Sequence, residues 1–183
     1  MKQKVTNQTR RKMLIGGAAA ASTPLWLNVA NAQADTIKIG FPTPLTGPFS
    51  AEAQDQVRAA ELAIKEFNDA GGFNGRKAEL LVRDDKLNPG EAATRTLELI
   101  EKDKVNYVVG SLSAATQLSI NAVCKERKVL FNSISQSDAI NEAKDWSVYT
   151  FHEALNPTMT AGAVARYSIP RFGKKIVFLT ADY

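Results

Sequence analysis

The sequence has a single cysteine and a single histidine among its 183 residues. With only one thiol, Cys124 cannot form an internal disulfide, and the Cys and His residues are too few for a metal cluster. Cys124 lies in a predicted helix, where a small buried apolar side chain is expected. A nucleophilic triad would need His152 as its base, and no serine lies in a Gly-x-Ser-x-Gly motif. A Ser-His hydrolase is therefore weakly supported.

Phosphate-binding motifs are also missing. The first predicted strand is followed by a rigid, turn-rich loop, Pro42–Pro48. Its flanking glycines, Gly40 and Gly47, do not have the spacing of a dinucleotide fingerprint, and no Gly-Lys-Ser/Thr follows as in a P-loop. We predict no cofactor for this chain.

The basic charge is confined to one end of the sequence. The chain carries a net charge of +4, but residues 1–34 hold five of its 23 basic residues and no acid. The remainder has 18 basic and 19 acidic residues and thus a net charge of −1. A body without net positive charge gives no reason to expect nucleic acid or an anionic membrane as a partner.

Residues 1–34 are typical of an export signal peptide. A basic start leads into a Gly/Ala-rich apolar stretch, and Ala32-Gln33-Ala34 is a small-x-small cleavage pattern that would leave Asp35 as the new N-terminus. The stretch from Thr9 to Leu14 resembles a twin-arginine signal, with Met13 where Phe is common. A permanent membrane anchor is less well supported, because the apolar run is interrupted and shorter than about 20 residues.

The remaining sequence alternates short β-rich runs with helical patterns. Strands are predicted over residues 36–41, 78–83, 105–109, 129–132, 147–151 and 175–180, and helices over residues 51–70, 89–102, 116–127 and 157–167. Such alternation predicts an α/β fold built from βαβ units around a mainly parallel sheet. Because the last strand has no following helix to cover it, we expect the chain to be the first part of a longer protein.

The helices have recognisable start signals and apolar faces. Ser50 is a candidate N-cap, while Asn88-Pro89 and Asn156-Pro157 combine an Asn cap with proline at the first helical position. Glu91 has the spacing to reach back to the N–H group of the cap. The side chains predicted to point inward are Val57, Ala60, Ile64 and Phe67 in the first helix, and Ala93, Leu97 and Ile100 in the second.

One stretch, Val105 to Gln117, combines a buried strand, a small-residue loop and a helix start. Gly110 ends the strand, and Ser111 and Ser113 place hydroxyl groups where the unpaired N–H groups of the helix begin. Such a helix start stabilises an anion, for example a ligand carboxylate. A plain βα turn with Ser113 as its N-cap is the alternative interpretation.

The topology predicts where this loop lies. The loops that follow parallel strands meet at one edge of the sheet, and ligands of open α/β sheets bind beyond that edge. We therefore expect the loops Pro44–Ser50, Gly110–Thr116 and Ser133–Ser137 to converge. This convergence follows from the topology, whether or not the serines have a function.

The order and spacing of several short motifs resemble the periplasmic substrate-binding proteins of ABC importers, in particular the branched-chain (Leu/Ile/Val) amino-acid binding family with the type I two-lobe fold. The matching residues are Ile39-Gly40, Pro44–Pro48, Ala63-Ile64, Asn68–Gly75, Asp84-Asp85, Asn88-Pro89, Val108–Gly110 and Ser113–Gln117. The resemblance covers Ile37 to Tyr183. It implies a first lobe over residues 35–152 and the start of a second, incomplete lobe over 153–183.

The resemblance also implies ligand-binding positions. The Ser113 hydroxyl would contact a ligand carboxylate, assisted by backbone N–H groups around Ala114 and Thr116. The other implied positions are Ser135, Gln136 and Ser137 in the next loop, Phe49 at the mouth of the cleft, and Tyr183 in the loop that closes over the ligand. Tyr183 could equally be only the end of a truncated chain.

Four further residues are interpreted with the help of the resemblance. His152 and Glu153 fall near the crossover between lobes and are expected to be hinge or surface residues rather than ligand contacts. The pair Asp84-Asp85 is expected to be structural, with a metal site as the alternative.

Many family members carry an aromatic residue near the Gly-Pro loop, where this sequence has Glu52 and Ala53. The expected ligand is therefore a small molecule of wider class: an amino acid, an amide or an aromatic acid.

The resemblance implies a soluble, monomeric, non-enzymatic receptor in the periplasm, which delivers its ligand to the membrane permease of an ABC importer. Binding in a cleft between two lobes would be followed by hinge closure. Three alternatives stay open: a secreted α/β hydrolase-like enzyme, the ligand-sensing ectodomain of a receptor, and a non-functional truncated fragment. Because the second wall of the cleft begins only at about Asn156, we expect the isolated chain to bind weakly.

Overall fold

A computed structural model describes residues 36–177. Its centre is a five-stranded, fully parallel sheet with the strand order β2-β1-β3-β4-β5. The strands are β1 (Ile37–Thr43), β2 (Ala78–Asp84), β3 (Tyr107–Gly110), β4 (Leu130–Ser133) and β5 (Thr150–His152). The predicted parallel α/β architecture is confirmed, and the register places the carboxyl ends of neighbouring strands side by side.

Four α-helices accompany these strands within residues 36–177. They are α1 (Ser50–Asp69), α2 (Pro89–Glu101), α3 (Ala114–Arg127) and α4 (Pro157–Phe172). The β4–β5 connection is different, because it contains only a short 3₁₀ turn, Ala139–Asn141. None of the helices within residues 36–177 is long and apolar enough to cross a membrane.

The two Asn-Pro helix starts form as predicted. The Asn88 side chain accepts a hydrogen bond from the Glu91 backbone N–H at 3.0 Å, and Asn156 accepts one from Met159 at 2.8 Å. The predicted reach of the Glu91 side chain back to the cap is wrong, since its carboxylate pairs with Arg95 at 2.6 Å.

Ser50 is not the N-cap of α1. Phe49 occupies that position and makes no side-chain capping bond, while Ser50 is the first helical residue. The start is instead fixed by backbone bonds, because the N–H of Ser50 donates to the carbonyl of Gly47 at 3.2 Å and that of Ala53 to Phe49 at 3.0 Å.

The main core lies between the sheet and the helices α2 and α3. Its fully buried members include Leu99, Val108, Ile120, Cys124 and Phe131. The burial of these apolar side chains is the main contribution that stabilises the packing of the two helices on the sheet.

The buried face of α2 is rotated by one position from the prediction. Ala92, Thr96 and Leu99 are buried, whereas the predicted Ala93, Leu97 and Ile100 are only partly covered. Both sets have the same spacing of four and three residues. Because α2 packs against both α3 and β1, its buried stripe is set by two neighbours, which periodicity alone does not reveal.

The α1 helix is held more loosely. Its predicted inward residues Val57, Ala60 and Ile64 are half-buried, and Phe67 remains 38% exposed. The helix packs mainly on β2.

Two predicted strands differ from the structure. The fifth strand was predicted over 147–151 but begins at Thr150, because Ser147 forms a turn in which its hydroxyl accepts from the Tyr149 N–H at 3.1 Å. The sixth strand was predicted over residues 175–180. Residues 175–177 are not in a strand, and residues 178–180 lie outside the described residues. The predicted export signal, residues 1–34, also lies outside them.

Candidate functional site

Three loops meet at the carboxyl edge of the sheet, as predicted. The N–H of Leu45 donates to the carboxylate of Asp84 at 3.0 Å and so holds the first loop against the end of β2. The N–H of Ile134, which follows β4, donates to the carbonyl of Gly110 at 3.3 Å. Phe49 of the first loop and Leu112 of the second also line one cleft, so the predicted convergence is confirmed.

Gly110 allows the central loop to leave the sheet. Its φ angle is +135°, in a region that residues with a Cβ atom rarely adopt. A Cβ atom on Gly110 would lie 2.7 Å from the carbonyl oxygen of Pro42 and 3.2 Å from the Phe41 ring. The Gly110–Ser111 peptide bond is cis.

Ser113 starts helix α3, and both interpretations of this residue fit its geometry. It is the N-cap, and its hydroxyl oxygen accepts a hydrogen bond from the Ala115 N–H at 3.2 Å. A hydroxyl group that accepts one bond still has a proton to donate. No described residue accepts from the N–H of Ala114, and both groups lie at the positive end of the helix dipole. Two donors for an anion thus remain at this helix start.

Thr116 lies beneath this helix start rather than on its surface. The residue is fully buried, and its hydroxyl contacts the Ser111 hydroxyl at 2.5 Å and the Ser113 carbonyl at 2.9 Å. These hydrogen bonds engage the side chain of Thr116 and hold the loop in place. The Thr116 side chain therefore has a supporting role.

Asp85 extends the buried network on the side of β2. Its carboxylate accepts bonds from the Ser111 hydroxyl at 3.1 Å and from the Leu87 N–H at 2.9 Å. Burial, with a smaller contribution from the neighbouring charge of Asp84, raises the pKa of Asp85 above its ordinary value. The buried hydrogen bonds among Asp85, Ser111 and Thr116 therefore hold the Gly110–Thr116 loop in position.

Asp84 is held differently from its neighbour. Burial would raise the pKa of Asp84, but hydrogen bonds from Thr46, Lys86 and Leu45 outweigh that effect and lower it. The Thr46 hydroxyl donates at 2.7 Å. Both aspartates thus have hydrogen-bond partners at the strand ends, and no group of three or more His, Cys, Asp or Glu side chains within residues 36–177 is arranged to hold a metal ion.

A cleft of about 250 Å³ opens beside the helix start. It is lined by Phe49, Glu52, Leu87, Leu112 and Ser113. The structure thus brings together Phe49 and Ser113, two of the residues predicted to bind a ligand. Its volume is below the range of about 300–1,000 Å³ typical of drug-sized ligands, which suits a smaller molecule.

The other three lining residues were not among the residues predicted to bind a ligand. Glu52 was noted only as a departure from the family pattern. Leu87 has a φ angle of +56°, in a turn that directs it to the cleft, and Leu112 precedes the N-cap. Leucines in loops give no sequence signal that separates a cleft wall from ordinary packing.

The second predicted loop is close by but does not line this cleft. Ser135 and Ser137 are buried, while Gln136 is exposed. Ser135 donates its hydroxyl proton to the carbonyl of Leu112 at 2.9 Å, and its own carbonyl contacts the Nε2 atom of His152 at 2.9 Å. His152 thus supports this loop. Tyr183 lies outside the described residues.

A second cavity, of about 400 Å³, lies between α1 and the sheet. Its lining is almost wholly apolar and includes Ile37, Ile64, Phe67 and Tyr107. Because Ile37 begins β1, this cavity is at the opposite end of the strands from the converging loops. Ligand sites contain polar groups that orient the ligand, and such groups are found at the smaller cleft rather than in this cavity.

Comparison with known proteins agrees with this geometry. The family described as "Periplasmic binding protein" matches residues 36–183. The chain belongs to the periplasmic binding protein family. Its parallel sheet, with the loops converging at the carboxyl edge, is the fold of this family's solved members.

Among curated members of the periplasmic binding protein family, the chain is 32% identical over 120 residues to Leu/Ile/Val-binding protein homolog 1 of Brucella abortus, an alignment that covers 66% of this chain and 31% of that protein. It is 32% identical over 146 residues to the Leu/Ile/Val-binding protein BraC3 of Rhizobium johnstonii, covering 80% and 39%. The chain therefore spans about a third of the length of such relatives.

Solved structures of the family show the same fold. The substrate-binding protein LivJ of Streptococcus pneumoniae, in complex with isoleucine, matches with a TM-score of 0.68 and 28% identity, covering 75% of this chain and 39% of that one. A solute-binding protein of Rhodopseudomonas palustris, in complex with 3,4-dihydroxybenzoic acid, matches with a TM-score of 0.67 and 23% identity, covering 75% and 37%. The second likeness concerns the fold alone.

Proposed function

We propose that this protein is a solute receptor that binds a small carboxylate-bearing or amide ligand, such as an amino acid, and delivers it to the permease of an ABC importer. The ligand carboxylate lies at the start of helix α3. It accepts hydrogen bonds from the Ser113 hydroxyl and the Ala114 N–H. Phe49 covers the ligand from the α1 side.

The observation that carries this proposal is the pair of available donors at Ser113 and Ala114 beside a cleft of about 250 Å³. A helix start stabilises negative charge without a basic side chain. The isoleucine bound to LivJ, a 28% identical protein of this fold, has such a carboxylate. Relatives named as Leu/Ile/Val-binding proteins support the same ligand class.

The remaining parts of the proposal concern the whole protein. Ser135, Gln136 and Ser137 form the second side of the ligand site, and Tyr183 lies in the loop that closes over it. Cleavage after Ala34 releases a monomeric receptor into the periplasm, and lobe one ends near His152. Support for these parts comes from family membership and from the sequence patterns.

An enzymatic role has less support. His152, the only histidine of the sequence, contacts the Ser135 carbonyl through Nε2 and the Asn141 side chain through Nδ1, at 2.9 and 3.2 Å. Neither nitrogen faces a serine hydroxyl, as a nucleophile and its base require.

The proposal is tested by ligand titration of the ¹⁵N-labelled protein, followed by nuclear magnetic resonance, which detects weak binding as well as strong. L-Isoleucine, L-leucine, L-glutamine, L-lysine, benzoate and 3,4-dihydroxybenzoate are the first compounds to try. We expect at least one of them to shift the amide signals of Ser113 and Ala114. If none shifts these signals at millimolar concentration, the proposed function is wrong.

Two substitutions of Ser113 separate ligand binding from helix capping. Ser113→Ala removes both the cap and the donor, and loss of a hydrogen bond to a charged group costs about 1.5–3 kcal/mol. Ser113→Asp keeps a good N-cap but places a negative charge against the ligand carboxylate. We expect Ser113→Asp to abolish binding while the start of helix α3 remains capped. Unchanged affinity in Ser113→Asp would show that the carboxylate binds elsewhere.

A further inference from the structure

Glu52 lies in the first turn of helix α1 and lines the same cleft as Ser113. Its side chain is exposed and makes no ion pair with any residue between 36 and 177. The other acidic residues near the strand ends, Asp84 and Asp85, are held by hydrogen bonds. Glu52 therefore presents a carboxylate with no protein partner to whatever enters the cleft.

The rest of the cleft wall carries no charge to balance Glu52. Phe49, Leu87 and Leu112 are apolar, and Ser113 is a neutral donor. A ligand that fills this space displaces water from the Glu52 carboxylate. A carboxylate that loses water without gaining a partner is strongly disfavoured, whereas a protonated nitrogen restores a charge-assisted hydrogen bond.

Two groups with opposite charge preferences thus line the cleft, and they belong to different helices. The start of helix α3 at Ser113 favours an anion, and Glu52 in helix α1 disfavours one. The binding of a ligand whose only net charge is negative would be strengthened by the first group and weakened by the second. A ligand that carries a carboxylate and a separate cation suits both groups.

We propose that Glu52 determines specificity, by selecting a ligand that has a protonated nitrogen in its side chain in addition to its carboxylate, as basic amino acids do. This inference rests on the proposed function, because it needs the ligand carboxylate at Ser113. The Glu52 carboxylate pairs with the side-chain nitrogen of the ligand. Amino acids with purely aliphatic side chains bind more weakly.

The test compares three amino acids that share a backbone and differ in the charge of the side chain: L-lysine, L-norleucine and L-glutamate. Dissociation constants are measured by the same resonance titration of the full chain. We expect lysine to bind about two- to fivefold more tightly than norleucine, and glutamate to bind most weakly.

Substitutions assign this preference to one side chain. In Glu52→Gln the ratio of the lysine and norleucine constants should fall to about one, whereas Glu52→Asp should retain a preference for lysine. Glu66→Gln is the matched control, because Glu66 is an exposed glutamate in the same helix and does not line the cleft. In Glu66→Gln the ratio of the lysine and norleucine constants should equal that of the unmodified protein.

The possible failures are distinguishable. If norleucine binds as well as lysine, or if Glu52→Gln leaves the ratio unchanged, the inference is wrong while the proposed function stands. If Glu52→Gln weakens lysine and norleucine equally, Glu52 pairs with the α-ammonium group, and the specificity role is also wrong. If no carboxylate ligand shifts the Ser113 signal, the proposed function fails, and the inference with it.

Discussion

The Ser135 hydroxyl donates a hydrogen bond to the carbonyl oxygen of Leu112, over a distance of 2.9 Å. This bond joins the loop after β4 to the loop after β3. Because Leu112 lines the cleft next to Ser113, the bond helps to set the position of one cleft wall. It links the two predicted ligand loops directly.

Replacing Ser135 by Ala should loosen this wall. We expect the free energy of unfolding to fall by about 1 kcal/mol, the usual net value of a hydrogen bond, and ligand affinity to fall several-fold. Urea unfolding and ligand titration measure the two effects. Ser119→Ala is the control, because the Ser119 hydroxyl is partly exposed and makes only a long bond, 3.5 Å, to a carbonyl of its own helix. Equal losses in both variants would contradict a special role for the Ser135 bond.

A Cβ atom at Gly110 should be poorly tolerated. Gly110→Ala places a methyl group 2.7 Å from the Pro42 carbonyl at a φ angle of +135°, and such strained positions cost on the order of 1–3 kcal/mol. We expect a lower thermal midpoint and weaker ligand binding.

Gly162→Ala provides the comparison for Gly110→Ala. Gly162 lies within helix α4, and a Cβ atom there meets nothing within 4 Å. Alanine favours a helix over glycine, so this variant should lose no stability. A destabilised Gly110→Ala beside an unaffected Gly162→Ala assigns the loss to the two features that only Gly110 has, its positive φ angle and its close approach to Pro42. Similar behaviour of both variants would contradict this assignment.

The parallel sheet and the convergence of its loops could be predicted from the sequence, because both follow from the alternation of elements. Asn88 and Asn156 were identified as helix caps because Asn is a preferred capping residue and proline is tolerated at the first helical position. Ser50 shows the limit of this reasoning, since a good capping residue lies one position inside its helix and contributes no cap.

The composition of the cleft could be predicted only in part. Ser113 was found from the helix start and from the family resemblance, whereas Phe49 came from the resemblance alone. Leu87 and Leu112 depend on where their loops lie in three dimensions, which local patterns do not encode. The rotated stripe on α2 has a similar origin, since packing against α3 decides which of two equivalent faces is buried.

Neighbouring aspartates should respond to pH in opposite ways. The pKa of Asp85 is raised by burial, so its folded form favours the proton, and the stability this gives is lost as pH rises from the ordinary value of 3.8 through the raised value. Asp85→Asn retains an acceptor for the Leu87 N–H without the charge. Its stability relative to the unmodified protein should therefore increase as pH rises through this range.

Asp84→Asn is the matched comparison for this measurement. The pKa of Asp84 is lowered by its hydrogen bonds, which outweigh burial, so its contribution to stability is present above 3.8 and is lost as pH falls through the lowered value. The cost of Asp84→Asn should therefore grow as pH rises. Urea unfolding at a series of pH values between about 3 and 7 measures both variants. Parallel pH profiles of the two variants would contradict these assignments.

The thiol of Cys124 should be a reporter of folding and of ligand binding. The side chain is fully buried between α3 and the sheet, and burial raises the pKa of the thiol from 9.0 to about 12. Because the thiolate is the reactive form, iodoacetamide should label Cys124 only after the protein opens.

A ligand that binds only the folded form should slow labelling by a factor of about 1 + [L]/Kd, which is about 100-fold at a concentration of 100 Kd. Mass spectrometry measures the rate with and without ligand, and Ser113→Asp should abolish the protection. Rapid labelling in the absence of denaturant would contradict the burial of this thiol, and protection that persists in Ser113→Asp would contradict carboxylate binding at the start of helix α3.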